Sequence, residues 1–485
     1  MADRGANSIS TSLIYKSMER YVVMAFQMIV QIVIARILSP SDYGVVAMMA
    51  VFISIANVFI HNGFNAAIIQ KKEADNRAFG TALLINFLIG LFLYSILFFA
   101  SPTIANFYHE PQLKVCLRVL ALILPIGSIS SIQSAIAVRR MRFRNLFICN
   151  VIGSVSSGII GVVCALLGFG YWALIIQQIT SVVVIAIALT YHATWKPKFD
   201  FERKGAGEML SFGWKMLAAA LINSIYNELN SLIIGKKYTA ADLSFYTKGR
   251  TFPSTITSGV DSALQSVLLS SFSKNQSNEK ELHRLLKVSS VTNTYLVVPI
   301  LAFLTVAGNT IVSLLLTDKW LPMVPYMQIC CLTYAFHPVA AINMQALAAV
   351  GRSDIRLKLE FIKKPFGIIM LILAIPYGPM AIAISAAITS IFGLIVGFIA
   401  CQKIVHYRII NSLKDMMPSW GAALLAGAIV FAMQGLSINK IGLLALQMIV
   451  MAGAYYAVSR LFQLQGYMVL KKKIYQYKNK VPFRK

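Results

Sequence analysis

Long apolar segments recur along almost the whole chain, separated by short polar or basic stretches, and this pattern limits the folds open to it. A helix needs about 20 mostly apolar residues to cross a bilayer, because lipid offers its backbone no hydrogen bonds. Reading apolar runs against breakers gives fourteen spans, at 12–38, 44–69, 78–100, 113–137, 146–167, 171–192, 209–234, 243–269, 288–308, 324–348, 365–376, 379–401, 418–434 and 441–459. The eleventh is short and stops at Pro376. Spanning strands would alternate over about ten residues, whereas these runs are longer and continuous, so the expected fold is an all-α integral membrane protein. Composition agrees: 58% hydrophobic and 13% charged residues, with a mean hydropathy of +0.70, exclude an ordinary soluble enzyme and a disordered chain alike.

A net charge of +26 would suggest nucleic acid in a soluble protein, but here most basic residues lie between apolar runs. With the N-terminus in the cytoplasm, thirty-two Lys and Arg fall in inward segments, and only Lys236, Lys237, Lys319 and Lys440 fall outward. That asymmetry predicts both ends inside and an even number of crossings. The opening residues MADRGANSISTS lack a signal-peptide core, so the first apolar segment is expected to be retained. The six cysteines lie in or beside apolar runs without CxxC or His/Cys spacing, so neither disulfides nor a metal site is expected. The tail KKKIYQYKNKVPFRK reads as a polybasic strip on anionic lipid or as a partner-binding signal.

Two stretches read alike at an offset of 200. ARILSPSDYG at 35–44 aligns with GKKYTAADLS at 235–244, setting Arg36 against Lys236 and Asp42 against Asp242. Phe52 then meets Phe252, Ser54 meets Ser254, and Lys16 falls within one residue of Lys215. The expected organisation is an N-lobe at 1–193, a cytoplasmic linker at 194–208, a C-lobe at 209–401, two added helices within 402–459 and a basic tail at 460–485. Six spans per copy is even, so the copies are parallel repeats, an arrangement suited to alternating access with substrate held between the bundles.

An ionisable side chain within a span costs about 2.5–3.5 kcal/mol on insertion scales and marks a functional candidate. At 100° per residue, Lys16, Arg20, Gln27 and Gln31 of the first span fall within an arc of about 60°. In the seventh span Asn223, Asn227 and Asn230 share a face, with Tyr226 and Lys215 beside it. In the eighth, Tyr246, Arg250, Thr257 and Asp261 line up, and Lys248 lies nearly opposite unless Pro253 bends the helix. Plainer readings stay open: Lys16 and Lys215 can snorkel to headgroups, Arg20 can pair with Glu19, and Arg250 with Asp261. Arg36 with Asp42 and Lys236 with Asp242 read as interfacial turn pairs, and Lys114 and Arg118 as anchors at the outer end of the fourth span. Glu228 and Asp261 are candidates for ion coupling or for charge balance. A basic lining flanked by amides suits an anionic, hydroxyl-rich ligand, since Arg forks onto phosphate and Asn or Gln both donates and accepts.

Several ordered landmarks carry a family resemblance: KSMER at 16–20, ARILSPSDYG at 35–44, NGFNAAIIQKK at 62–72 and IANFYHEPQL at 104–113. LGFGYWALIIQQ at 167–178, YTKGRTFPS at 246–254, DKWLPMVP at 318–325 and GRSDIRLKLEFIKK at 351–364 continue the series. On these the chain resembles the Wzx-type polysaccharide-transport flippases of the multidrug/oligosaccharidyl-lipid/polysaccharide (MOP) exporter superfamily, most of all the exporters of lipopolysaccharide or colanic-acid-type repeat units. The resemblance implies fourteen helices, two six-helix lobes, a cationic cavity and transfer of an undecaprenyl-diphosphate-linked oligosaccharide across the bacterial inner membrane. It places Lys16, Arg20, Lys248 and Arg250 in that cavity, and of the last two the helical wheel favours Arg250. Membrane lipids and other polysaccharide-assembly proteins are the further partners expected; nucleic acid and cofactors are not. No GxxxxGK[ST] motif supports direct ATP use. The alternatives are a cation-coupled drug exporter of the same superfamily, which would favour carboxylates in its cavity, and a membrane polymerase or acyltransferase. The latter would be expected to carry a large outer loop or a catalytic constellation.

Overall fold

The structure is a computed structural model that describes residues 22–62, 68, 76–192, 195, 203–274, 278–350, 353–405, 409–436 and 438–480. Among these residues the regular structure is helical throughout. Among the described residues ten helical segments, one of them the pair Leu113–Leu120 and Ile123–Arg139 taken together, are long and apolar enough to cross a membrane, which makes this a multi-pass membrane protein. The chain divides into two compact units, Met1–Ser244 and Phe245–Lys485.

In the first unit, α1 (Val22–Ile37) turns through Leu38 and Ser39 into α2 (Pro40–Asn62). There follow α3 (Asn76–Tyr108), the eight-residue α4 (Leu113–Leu120), α5 (Ile123–Arg139), α6 (Phe143–Leu166), α7 (Tyr171–His192) and α8 (Arg203–Lys237). The α1–α2 corner is set by a capping box. The Ser39 hydroxyl accepts from the Asp42 amide at 3.2 Å, and the Asp42 carboxylate accepts from the Ser39 amide at 3.0 Å and from its hydroxyl at 2.6 Å. Pro40 occupies the first helical position, where its missing N–H leaves nothing unpaired. The same corner recurs between α8 and α9 (Ala240–Lys274), where Thr239 and Asp242 exchange bonds of 3.1, 3.2 and 2.7 Å.

α8 packs along α2 and α3. The approach is close at Gly44, where a Cβ would stand 1.8 Å from the Ala240 carbonyl oxygen, so only glycine fits. Pro102 within α3 cannot donate to the Phe98 carbonyl one turn earlier. That carbonyl instead accepts from the Ser101 hydroxyl at 2.8 Å and from Arg118 Nε at 3.3 Å, while the guanidinium lies 4.2 Å from the Phe98 ring centroid. Arg118 therefore turns into the bundle to mend a proline break, in place of the anchoring role its position suggested.

The second unit holds the body of α9, then α10 (Glu279–Val306), α11 (Gly308–Leu315), a 3-10 turn at Asp318–Met323, α12 (Val324–Ala335) and α13 (His337–Ala349). α14 (Ser353–Ala374), α15 (Pro379–Val405), α16 (Ile409–Ala432), α17 (Lys440–Leu461) and α18 (Gln465–Lys480) complete it. α10 is the central helix, packed by α12, α13, α16 and α18, and six successive residues, Ser289 to Thr294, are all buried. Pro299 frees the Tyr295 carbonyl as Pro102 frees that of Phe98; here the Tyr455 hydroxyl donates to it at 3.1 Å. Lys287 and Asp415 join α10 to α16 at 2.7 Å.

Candidate functional site

The two units carry separate halves of the expected residue set. In the first, Gln27 of α1 is exposed, and its Nε2 reaches the Ser154 hydroxyl of α6 at 3.4 Å. The helices close up beside it, because Gly158 lies under Phe26 and Val30 with no room for a Cβ. Gln31 is half-buried, and its backbone carbonyl accepts from the Tyr43 hydroxyl at 3.5 Å. Lys16 and Arg20, the charged end of the stripe, lie outside the described residues. On α8, Asn223 and Asn227 are exposed, whereas Asn230 and Glu228 are half-buried. Glu228 lies within electrostatic reach of Tyr108, whose buried hydroxyl has no hydrogen-bond partner among the described residues. Lys215 and Asp261 sit on α8 and α9, and only their backbone is described.

The turn residues behave differently from their expected pairing. Asp42 and Asp242 act as caps for their own helices. The Lys236 ammonium donates to the Phe107 carbonyl, faces His109 Nε2 at 3.1 Å and lies 4.7 Å from the Phe107 ring centroid. It thus pins the end of α8 to the end of α3.

In the second unit the geometry turns on Gly249. A Cβ there would lie 2.9 Å from Tyr326 Cβ, 3.0 Å from the Met327 amide and 3.1 Å from the Met323 carbonyl, so α9 rests its backbone on the first turn of α12. Lys248 and Arg250 then leave α9 on opposite flanks of that contact, and both are half-buried. Tyr246 is buried edge-on to Tyr326, with ring centroids 6.3 Å apart at 86°. One turn on, Arg250 Nε donates to the Tyr334 hydroxyl at 3.5 Å. Tyr326, Cys330 and Tyr334 are spaced at four residues and form one face of α12, against which Tyr246 and Arg250 of α9 are laid. Tyr334 also lies 6.0 Å from the His337 ring. Arg250 is therefore a half-buried cation held against a tyrosine hydroxyl, and an arginine with part of its hydration removed pairs more strongly with an anion than one in bulk water.

Tyr334, His337 and Ser154 were not among the residues singled out from the sequence. The i, i+4, i+8 spacing of Tyr326, Cys330 and Tyr334 was the available signal; for Ser154 there was none, since its role depends on where α1 crosses α6.

Residues 33–325 match the family described as polysaccharide biosynthesis protein. The chain belongs to this family. Among the chain's relatives is the succinoglycan biosynthesis transport protein ExoT of Rhizobium meliloti (strain 1021), 23% identical over 67% of this chain and 65% of its own length. The teichuronic acid biosynthesis protein TuaB of Bacillus subtilis (strain 168) is 22% identical over 62% of each chain. The chain thus spans a little under two thirds of the length of these two relatives. The lipopolysaccharide biosynthesis protein WzxC of Escherichia coli (strain K12) is 22% identical over 79% of this chain and 76% of its own. Among solved structures, the lipid II flippase MurJ in an inward closed conformation superposes with a TM-score of 0.77 at 15% identity, covering 93% of this chain and 98% of that one. An inward-facing multidrug resistance MATE transporter of the MOP superfamily gives a TM-score of 0.61 at 14% identity, over 80% of this chain and 98% of that one. These likenesses show that the chain shares its fold with both transporters.

Proposed function

We propose that the chain is a transporter and not an enzyme: a flippase that moves an undecaprenyl-diphosphate-linked oligosaccharide repeat unit from the cytoplasmic to the periplasmic leaflet of the bacterial inner membrane. Alternating access by two parallel six-helix repeats, with fourteen crossings in all and both termini in the cytoplasm, is the mechanism that goes with this reading. The observation that carries it is Arg250, a half-buried guanidinium on a helix of a membrane protein of the polysaccharide biosynthesis family, donating to the Tyr334 hydroxyl. Such a group is retained at a cost in hydrocarbon and matches a diphosphate by its planar fork. From the sequence, Lys16, Arg20, Lys215 and Lys248 are assigned with it as further cationic contacts, and Gln27, Gln31, Asn223, Asn227 and Asn230 as amide partners for sugar hydroxyls; Tyr246, buried against Tyr326, drops out of that set. Glu228 and Asp261 are the carboxylates through which an ion would couple. Outward movement of an anion from a negative interior is downhill by about 2.3 kcal/mol per charge per 100 mV, so the membrane potential is a sufficient drive.

The test is reconstitution of the full chain in liposomes, following outward exposure of a labelled prenyl-diphosphate sugar with and without an imposed potential. Exposure that accelerates with an inside-negative potential and is reduced in Arg250→Gln supports the reading. Liposomes that export a cationic drug and leave the prenyl-diphosphate sugar in place overturn it.

A further inference from the structure

The first unit contains a second polar site, apart from the residues assigned to transport. At one end of α5, α6 and α7 a small, partly open recess of about 30 Å³ is lined by Gln133, Arg142, Asn145, His192 and Trp195 over an apolar floor. Its inner wall is buried: Gln133 is 4% exposed and Trp195 6%. Gln133 Nε2 donates to the Thr190 hydroxyl at 2.9 Å, and that hydroxyl spends its own proton on the Ala186 carbonyl at 2.7 Å. Gln133 Oε1 is left buried with no hydrogen-bond partner among the described residues, and it can be satisfied only by a donor. At the rim, Asn145 Nδ2 donates to the His192 carbonyl at 3.3 Å, so α6 is tied to the end of α7 and the recess has a fixed wall.

The arginines of the α5–α6 turn divide by role. Arg139 donates to the Ile68 carbonyl at 2.7 Å, and Arg140 lies 5.7 Å from the Phe79 ring centroid, the same ring that meets Trp195 edge-on at 5.9 Å. Met141 takes a left-handed conformation (φ 56°), and the Arg142 amide donates back to the Ala137 carbonyl at 2.9 Å. This reversal sets the exposed Arg142 side chain on the rim of the recess.

We propose that the recess binds the headgroup of an anionic phospholipid of the phosphatidylglycerol type. Arg142 at the rim takes the phosphodiester, and a glycerol hydroxyl a few bonds further on donates to Gln133 Oε1. The chemistry that recognises it is an anion at the mouth followed by a hydrogen-bond donor within, at the end of three spans where headgroups lie. The proposal rests on the membrane-spanning reading of α5, α6 and α7 and not on the transported substrate.

Native mass spectrometry of the full-length protein, titrated with phosphatidylglycerol, tests it. Binding is expected to fall by about tenfold in Arg142→Gln, the loss of one charge-assisted contact, and to recover in Arg142→Lys. Arg144→Gln, in the same basic turn but outside the recess, should leave binding unchanged. Gln133→Met should weaken phosphatidylglycerol more than phosphatidic acid, which lacks the glycerol hydroxyls. Equal loss in Arg142→Gln and Arg144→Gln would show only diffuse attraction to a basic surface and overturn the proposal. Full displacement of the lipid by soluble glycerol 3-phosphate would overturn the lipid as occupant, leaving a site for a free phosphate ester.

Discussion

The corner at 35–46 and the corner at 235–246 begin alike and end differently. Both stop a helix at the same position, turn through two residues and start the next helix under a hydroxyl–aspartate cap. Beyond the cap, α2 carries Met48 and Ala50 and is an apolar span, whereas α9 carries Lys248 and Arg250 at the matching places. Met48 is 1% exposed and packs as core, while Arg250 reaches a tyrosine hydroxyl. Local chemistry at the turn therefore specifies the shape, and the residues two turns later decide whether the helix that follows carries apolar packing or charge. A cap works through backbone groups that every helix start leaves unpaired, so it survives a change in everything that follows.

Substitutions can separate these two layers. The largest effect is expected at Gly44→Ala, which sets a methyl into the Ala240 backbone. Loss of a monodisperse peak in detergent is predicted, whereas the matching Ser244→Ala, which removes only a bond to the Ala241 carbonyl, should purify normally. Next in size, Arg250→Ala or Arg20→Ala should sharply reduce flipping with expression intact, and Lys should replace arginine better than Gln does. Full surface-polysaccharide export by the Gln variants would remove the functional half of the comparison. A smaller change is expected at the proline break of α10. Tyr455→Phe leaves the Tyr295 carbonyl without its donor and should lower stability by about 1–3 kcal/mol, read as a drop in melting temperature. Asp42→Ala and Asp242→Ala should each lose about 1 kcal/mol, and clearly unequal losses would show that the two corners are not equivalent.

The smallest effect concerns the exposed Asp318, whose carboxyl is held below its usual range by the Ser313 hydroxyl and then by Lys440 at 3.2 Å. Because the folded state lowers this pKa, the contribution is present above the unfolded value of 3.8 and is lost as pH falls through the lowered one. The difference in melting temperature between Lys440→Ala and the parent should therefore be slight at neutral pH and vanish at low pH.

Much of this was open to inspection in the linear chain. Apolar run length and the distribution of Lys and Arg report the membrane, because a bilayer imposes the same requirement on every segment independently. The aspartates of the two corners stand out by their offset of 200 residues; the sequence suggests charge pairs with Arg36 and Lys236, whereas the structure makes them caps, because a carboxylate three residues past a hydroxyl lies within reach of the free backbone amide at the helix start. The candidate stripe on α9 was visible as periodicity, but periodicity is blind to the neighbour. Tyr246 shares the stripe with Arg250 and is nonetheless buried against Tyr326. Arg118 shows the same limit, for its partner is a carbonyl exposed by a proline sixteen residues earlier.

What could be read from composition and order is the class of solvent each segment meets, the starts of helices and the sign of the charge they carry, because these depend on groups close together along the backbone. Which face of α9 meets α12, why position 44 admits no side chain, and how Gln133 comes to lack a donor follow from contacts between segments distant in the chain. Those contacts are fixed by the packing of whole helices, and no local pattern encodes them.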